Sequence, residues 1–138
     1  MTVTTYLNFN GRCEEALNFY TKTIGAKVGM MMRFKESPEK NPNCTPANEN
    51  KIMHSAFTVG ETTLMATDGM LNGQKVSFDG FSLSLHGKDK AAVEKQLAAL
   101  GEGGSITMPA SETFFAHSFG MVKDKFGVNW MVLAPKQM

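Results

Sequence analysis

Two histidines are the groups in this chain best suited to moving a proton near neutral pH. His54 is followed by Ser55 and Val59, and His117 by Ser118 and Val122, so one short pattern occurs twice, sixty-three residues apart. An imidazole with an ordinary pKa near 6.5 can act as acid, base or hydrogen-bond partner. Two imidazoles alone make a poor zinc site, because zinc takes three or four protein ligands. The plain alternative for each is a hydrogen bond to a neighbouring main-chain or hydroxyl group. His86, just ahead of a helix-like stretch, reads as an exposed turn or capping residue. Met30, Met31 and Met32 offer soft thioethers, but on a strand Met31 points away from the other two, so core filling is the better account. Phe114, Phe115 and Trp130 could stack on a planar ligand; strand parity sends Trp130 to the core, and Phe114 sits at a hairpin edge where a lid residue would. Asp68, Glu112 and Asp124 are scattered acids that read as solvated, with Asp124 opening a hairpin turn that ends at Gly127. The glycines at 101, 103 and 104 follow a helix rather than a strand, so they do not make a phosphate loop.

The elements that must position these residues also occur twice. Leu7, Phe9, Gly11 and Gly25 are echoed by Leu83, Leu85, Gly87 and Gly101, seventy-six residues later. Residues 3–9 alternate at strand period. Asn10 is placed to cap a helix whose apolar face is Cys13, Ala16, Leu17, Tyr20 and Ile24, with Glu14 and Glu15 in its first turn and Gly25 as its stop. Strands are expected over 26–34, 52–59 and 62–67, and three prolines keep a polar loop over 35–50 out of regular structure. The second half repeats the plan with strands over 81–85, 105–109, 115–122 and 128–133 and a helix over 89–100. Each half therefore reads β-α-β-β-β, and a repeat of this kind limits the fold.

With 138 residues the chain is expected to be one domain, 1–138, with a first module over about 1–70 and a second over about 77–138. A net charge of +1 without basic or acidic runs argues against nucleic-acid or anionic-membrane partners. No secretory signal is visible at the start, and Cys13 and Cys44 read as reduced thiols of a cytoplasmic protein.

The most specific stretch is Glu112-Thr113-Phe114-Phe115-Ala116-His117-Ser118-Phe119-Gly120, followed by Asp124-Lys125-Phe126-Gly127-Val128-Asn129-Trp130-Met131. Together with Tyr6-Leu7-Asn8-Phe9-Asn10-Gly11 and Ala16-Leu17-Asn18-Phe19-Tyr20, it resembles the PhnB-like proteins of the vicinal oxygen chelate superfamily, which includes glyoxalase I, bleomycin-resistance proteins and extradiol dioxygenases. The resemblance implies an α+β fold: two βαβββ modules whose mixed sheets curl into a cup, helices outside, usually in a homodimer. Proteins of this type are sometimes labelled ubiquinone methyltransferases, but the chain lacks the glycine-rich βα turn of a nucleotide-type cofactor site.

Strand parity divides the side chains between the helices and the cup. Leu7, Phe9, Met53, Phe57, Leu64, Leu83 and Trp130 belong under the helices. Thr4, Tyr6, Asn8, His54, Met65, Thr67, Ser82, Ser84, His117, Met131 and Leu133 belong in the cup. Metal-dependent members of the superfamily take four ligands from the first and fourth strands of each module, and these positions correspond to Thr4, Met65, Gly80 and Met131. None is an imidazole or carboxylate, and thioether suits Cu(I) rather than Zn²⁺, Ni²⁺, Mn²⁺ or Fe²⁺. The expectation is a metal-free protein with no other cofactor, binding a small neutral or weakly polar molecule near Tyr6, Asn8, His54, Met65, Ser82, Phe114, His117 and Met131. The alternative is a lyase or isomerase using His54 or His117 as base, or a metal enzyme with non-standard ligands.

Overall fold

A computed structural model describes residues 1–137. Its contacts divide the chain into two compact units, Met1–Val76 and Ser77–Met138. The first contains β1 (Tyr6–Asn8), α1 (Cys13–Ile24), β2 (Lys27–Arg33), β3 (Ile52–Val59) and β4 (Thr62–Thr67). The second contains β5 (Leu83–His86), α2 (Lys90–Leu100), β6 (Ser105–Ser111), β7 (Ala116–Lys123) and β8 (Asn129–Pro135). Each unit holds one four-stranded mixed sheet, in the orders β1-β4-β3-β2 and β5-β8-β7-β6. In each, the first strand runs parallel to the fourth and the other pairings are antiparallel. This is the α+β, twice-repeated βαβββ plan expected from the sequence.

In the first unit Cys13, Ala16, Leu17 and Tyr20 are buried on one face of α1, over Leu7, Phe57 and Ala66 of the sheet. Tyr20 stacks on Phe57 with ring centroids 6.2 Å apart. Burying each large side chain contributes roughly 1.5–3 kcal/mol, enough to decide which sheet face the helix covers. The start of α1 departs from expectation. Its N-cap is Arg12, with no side-chain cap bond, and Asn10 instead takes a left-handed turn conformation with φ 48°. The missing acceptor comes from Asp68, whose carboxylate accepts the amides of Gly11 (2.8 Å), Cys13 (2.8 Å) and Ile52 (2.7 Å). Asp68 is 2% exposed, so the reading of it as a solvated acid is corrected: it ties α1, β3 and β4 together.

In the second unit Val93, Leu97 and Leu100 of α2 are buried, as are Val122, Val128, Trp130 and Val132 of the sheet. Asp89 caps α2 by accepting the Ala92 amide. Gly120 lets α2 approach the sheet, since a Cβ there would meet Leu97 Cδ2 at 2.6 Å. Asp124 also proves buried rather than solvated, at 3% exposure. It accepts the amides of Phe126 and Val128 and the indole N–H of Trp130, the last at 2.9 Å, which holds Trp130 in the core position that parity gave it. Glu112 is the one acid of the three that lies at the surface, paired with Lys136 at 2.6 Å, and that ammonium holds its carboxyl below the usual carboxylate range.

Candidate functional site

The face of each sheet turned away from its helix carries the candidate residues, and strand register fixes which of them meet. In the first unit Tyr6, Met65, Ala56 and Met30 lie in one row across β1, β4, β3 and β2. Paired residues share a face, with Cβ atoms about 5 Å apart. Tyr6, Asn8, His54 and Met65 are thus brought to one surface, as expected. The phenol oxygen of Tyr6 and Nδ1 of His54 are 2.6 Å apart, and the two rings lie 5.5 Å apart at 34°. Partial burial pushes the Tyr6 phenol above its ordinary pKa, with a further push from the Cys13 thiol, while a hydrogen bond with Thr67 opposes both. Tyr6 therefore keeps its proton at neutral pH. Met30 and Met32 join this face, Met32 directly opposite His54, and Met31 points to the helix side opposite Ser55.

One strand residue falls on the other side from its expected place. The β2–β3 register slips between Met32, opposite His54, and Arg33, opposite Ile52. Met53 is the extra residue of this bulge, and a bulge shifts the side-chain phase. Ile52 becomes core at 1% exposure, and Met53 turns to the open side. There it lines a groove of about 590 Å³ with Tyr6, Asn8, Phe34, Thr67 and Met70. The polar loop supplies the opposite wall through Ser37, Glu39, Lys40, Asn41 and Pro42. It is held by Asn41 and Asn43, whose side-chain amides both donate to the Met70 carbonyl. From sequence this stretch reads only as a polar loop outside regular structure. The asparagines at 41, 43, 48 and 50 were the available sign that it is hydrogen-bonded into a fixed shape.

In the second unit Ser84, Met131, Met121 and Met108 form the corresponding row. Tyr6 opposite Met65 thus matches Ser84 opposite Met131, two residues beyond the partner Ser82 suggested by the seventy-six-residue echo. Ser82 itself is half-buried just ahead of β5. The residue two before Ala56 is His54, and the residue two before Met121 is Phe119, so Phe119 holds the place of His54 in this unit. The matched pair of histidines read from sequence is not structurally equivalent. His117 is exposed at an irregularity of β7, near enough to Glu112 to help lower that carboxyl. His86 is the last residue of β5 and is exposed. Phe114 is 81% exposed and meets Phe115 edge-on at 5.1 Å.

The positions where the resemblance implies a metal do not fit a divalent ion. Thr4 is exposed ahead of β1, Gly80 is a turn glycine with φ 86°, and Met65 and Met131 bring thioethers. Among the described residues no three His, Cys, Asp or Glu side chains gather as a ligand set. Cys13 and Cys44 are free, Cys13 fully buried with its thiol pushed up to about 12 by that burial.

The chain matches, over residues 1–133, the model of a family described as 3-demethylubiquinone-9 3-methyltransferase. Protein PA1353 from Pseudomonas aeruginosa is 39% identical, with a TM-score of 0.87 and 99% of each chain covered. A putative 3-demethylubiquinone-9 3-methyltransferase, PhnB protein, from Bacillus cereus is 27% identical, with a TM-score of 0.79 over 97% of this chain and 99% of that one. A glyoxylase/bleomycin resistance protein/dioxygenase domain from Frankia sp. shares the fold, with a TM-score of 0.69 at 14% identity over 99% of this chain and 98% of that one. No described helix is long and apolar enough to cross a membrane.

Proposed function

The chain belongs to this PhnB-like family, described as 3-demethylubiquinone-9 3-methyltransferase, and on that premise we propose that it binds a small neutral or weakly polar molecule on the open face of its sheet, without the divalent metal of its metal-dependent relatives. The observation that carries this reading is the groove of about 590 Å³ in the first unit, floored by Tyr6, Asn8, Met53 and Thr67. Its size suits a small organic ligand. Thioethers give an adaptable apolar wall, and Glu39 and Lys40 at the rim carry opposite charges, so nothing there favours a strongly charged ligand. Methyl transfer is not part of the reading, because no glycine-rich βα turn offers a seat for a nucleotide-type methyl donor. The proposed protein acts in the cytoplasm as a homodimer, with no nucleic acid or membrane as partner.

Native mass spectrometry of protein purified from its own host, together with elemental analysis, tests this. A co-purified organic ligand in place of stoichiometric metal is the expected result. One equivalent of Ni²⁺, Zn²⁺ or Fe²⁺, lost on chelation together with any activity, overturns it.

The 2.6 Å contact of Tyr6 with His54 favours a second reading, a lyase or isomerase in which this pair moves a proton. Loss of turnover on a ligand in His54→Ala, with binding retained, would establish it. Retention of all function in both His54→Ala and His117→Ala would leave binding alone.

A further inference from the structure

The groove of the first unit has a one-sided hydrogen-bonding character. Thr67 Oγ1 donates to the Met53 carbonyl at 2.7 Å and accepts the Gly69 amide at 3.0 Å. Asn8 Oδ1 accepts the Asn10 amide at 2.9 Å, which fixes the carboxamide orientation and leaves its nitrogen as the free end. That NH2 has no partner among the described residues. Gly69 supports it, since a Cβ there would lie 2.7 Å from Asn8 Nδ2 and 3.0 Å from Oδ1. Tyr6 precedes Asn8 by two residues on β1 and shares its face. When His54 carries its proton on Nδ1, that N–H donates to the phenol oxygen across the 2.6 Å contact, and the phenol O–H, otherwise paired with Thr67, can turn to a ligand. In that tautomer the phenol O–H and the partnerless Asn8 NH2 are two neighbouring donors above an apolar surface.

We infer that the groove is selective for an apolar molecule bearing a carbonyl oxygen, seated between the Tyr6 hydroxyl and the Asn8 side-chain amide. The inference rests on the ligand-binding reading and sharpens it to a chemical class. A carbonyl oxygen has two lone pairs and accepts both donors. A hydrocarbon of the same shape leaves both unpaired, and a site built to hydrogen-bond a group discriminates against the analogue that lacks it. His54 is a positioning residue here, since it acts on the ligand through Tyr6.

Fluorenone and fluorene share a planar skeleton and differ by one carbonyl, so titrating each into the full chain by calorimetry reads the seat directly. Fluorenone is expected to bind about tenfold or more tightly than fluorene. In Tyr6→Phe the ratio falls, and in Tyr6→Phe combined with Asn8→Ala it approaches one while fluorene affinity holds. Both side chains lie on the open face, so the variants keep the core, which circular dichroism checks. Equal binding of the two probes by the unaltered protein, or a preference that survives in the double variant, overturns the carbonyl seat and leaves ligand binding standing. Binding of neither probe overturns both readings.

Discussion

Tyr6 and His54 lie forty-eight residues apart in the sequence and meet at 2.6 Å, phenol oxygen to Nδ1. β1 and β3 are not neighbours in their sheet, because β4 lies between them. The two side chains therefore reach over the row of β4, and each limits the rotamers of the other. With half of Tyr6 exposed, at 50%, the contact is worth little to stability. Tyr6→Phe should cost no more than about 1 kcal/mol in denaturant unfolding. Nitrogen-15 spectra of the His54 ring should nevertheless change, because Nδ1 loses its partner. An unchanged His54 spectrum would show that the contact does not persist in solution.

Asp68 is the opposite case. Its two carboxylate oxygens accept three backbone amides, those of Gly11, Cys13 and Ile52, at a site shut off from water. Removing the carboxylate strands all three donors, so Asp68→Ala should destabilise the protein by about 3 kcal/mol or more. Hydrogen exchange should show the amides at the start of α1 and the start of β3 losing protection together. A loss below about 1 kcal/mol would contradict the role given to this residue.

The strands over 52–59 and 62–67, the faces of both helices and the repeated plan were legible because they rest on local periodicity. The role of Asp68 was not, because its partners are main-chain amides sixteen to fifty-seven residues away that no pattern of residue types records. Met53 was misplaced for a related reason. Parity assumes unbroken pairing, and the bulge opposite Arg33 depends on how β2 meets β3. The equation of His54 with His117 failed similarly: similar neighbours carried the echo, whereas cross-strand register puts Phe119 in the corresponding place. Parity put Tyr6, Asn8, His54 and Met65 on one face of the sheet; of these Tyr6 and Asn8 line the groove, whose loop-borne wall no parity could show.

The buried thiol of Cys13 makes stability depend on pH in the alkaline range. Its pKa is raised from an ordinary 9.0 to about 12, mainly by burial. The folded protein thus binds this proton more tightly than the unfolded chain does. The contribution is fully present below pH 9 and is lost as pH rises toward 12. Three pKa units correspond to at most about 4 kcal/mol. Unfolding free energy measured between pH 8 and pH 11 should fall less steeply in Cys13→Ala than in the unaltered protein. Identical slopes would mean that the thiol reaches water in the folded state. Thiol reagents at neutral pH should modify Cys44, which is half-buried, well before Cys13, which is fully buried.

Gly120 sets the distance between α2 and its sheet. An added Cβ would fall 2.6 Å from Leu97 Cδ2 and 3.2 Å from the Met108 carbonyl oxygen. Leu97 is 3% exposed and has little room to yield. Gly120→Ala should therefore cost about 1–3 kcal/mol by overpacking. Leu97→Ala alone should cost about 2–5 kcal/mol. Combined, the two should cost less than the sum of the singles, because the smaller side chain removes the clash. Strict additivity in the double-mutant cycle would place the strain elsewhere.

Gly69 separates binding from folding most directly. Its φ of 81° already favours glycine, and a Cβ would overlap the Asn8 carboxamide at 2.7 Å. Gly69→Ala should therefore act twice: about 1–2 kcal/mol of backbone strain, and a displaced Asn8 side chain. Asn8 is only half-buried, so its carboxamide can swing outward and the unit can remain folded. The bond from the Asn10 amide to Asn8 Oδ1 should then be lost, and with it the orientation that keeps Nδ2 as the donor end. The expected variant is folded, slightly less stable and reduced in its preference for fluorenone over fluorene, although Tyr6 and Asn8 are both still present. Gly73, with φ 73° and nothing within 4 Å of its Cβ position, supplies the control. Gly73→Ala should show comparable strain and an unaltered preference. If both variants lose selectivity equally, the effect comes from general loosening of the segment and not from the seat that Gly69 gives Asn8.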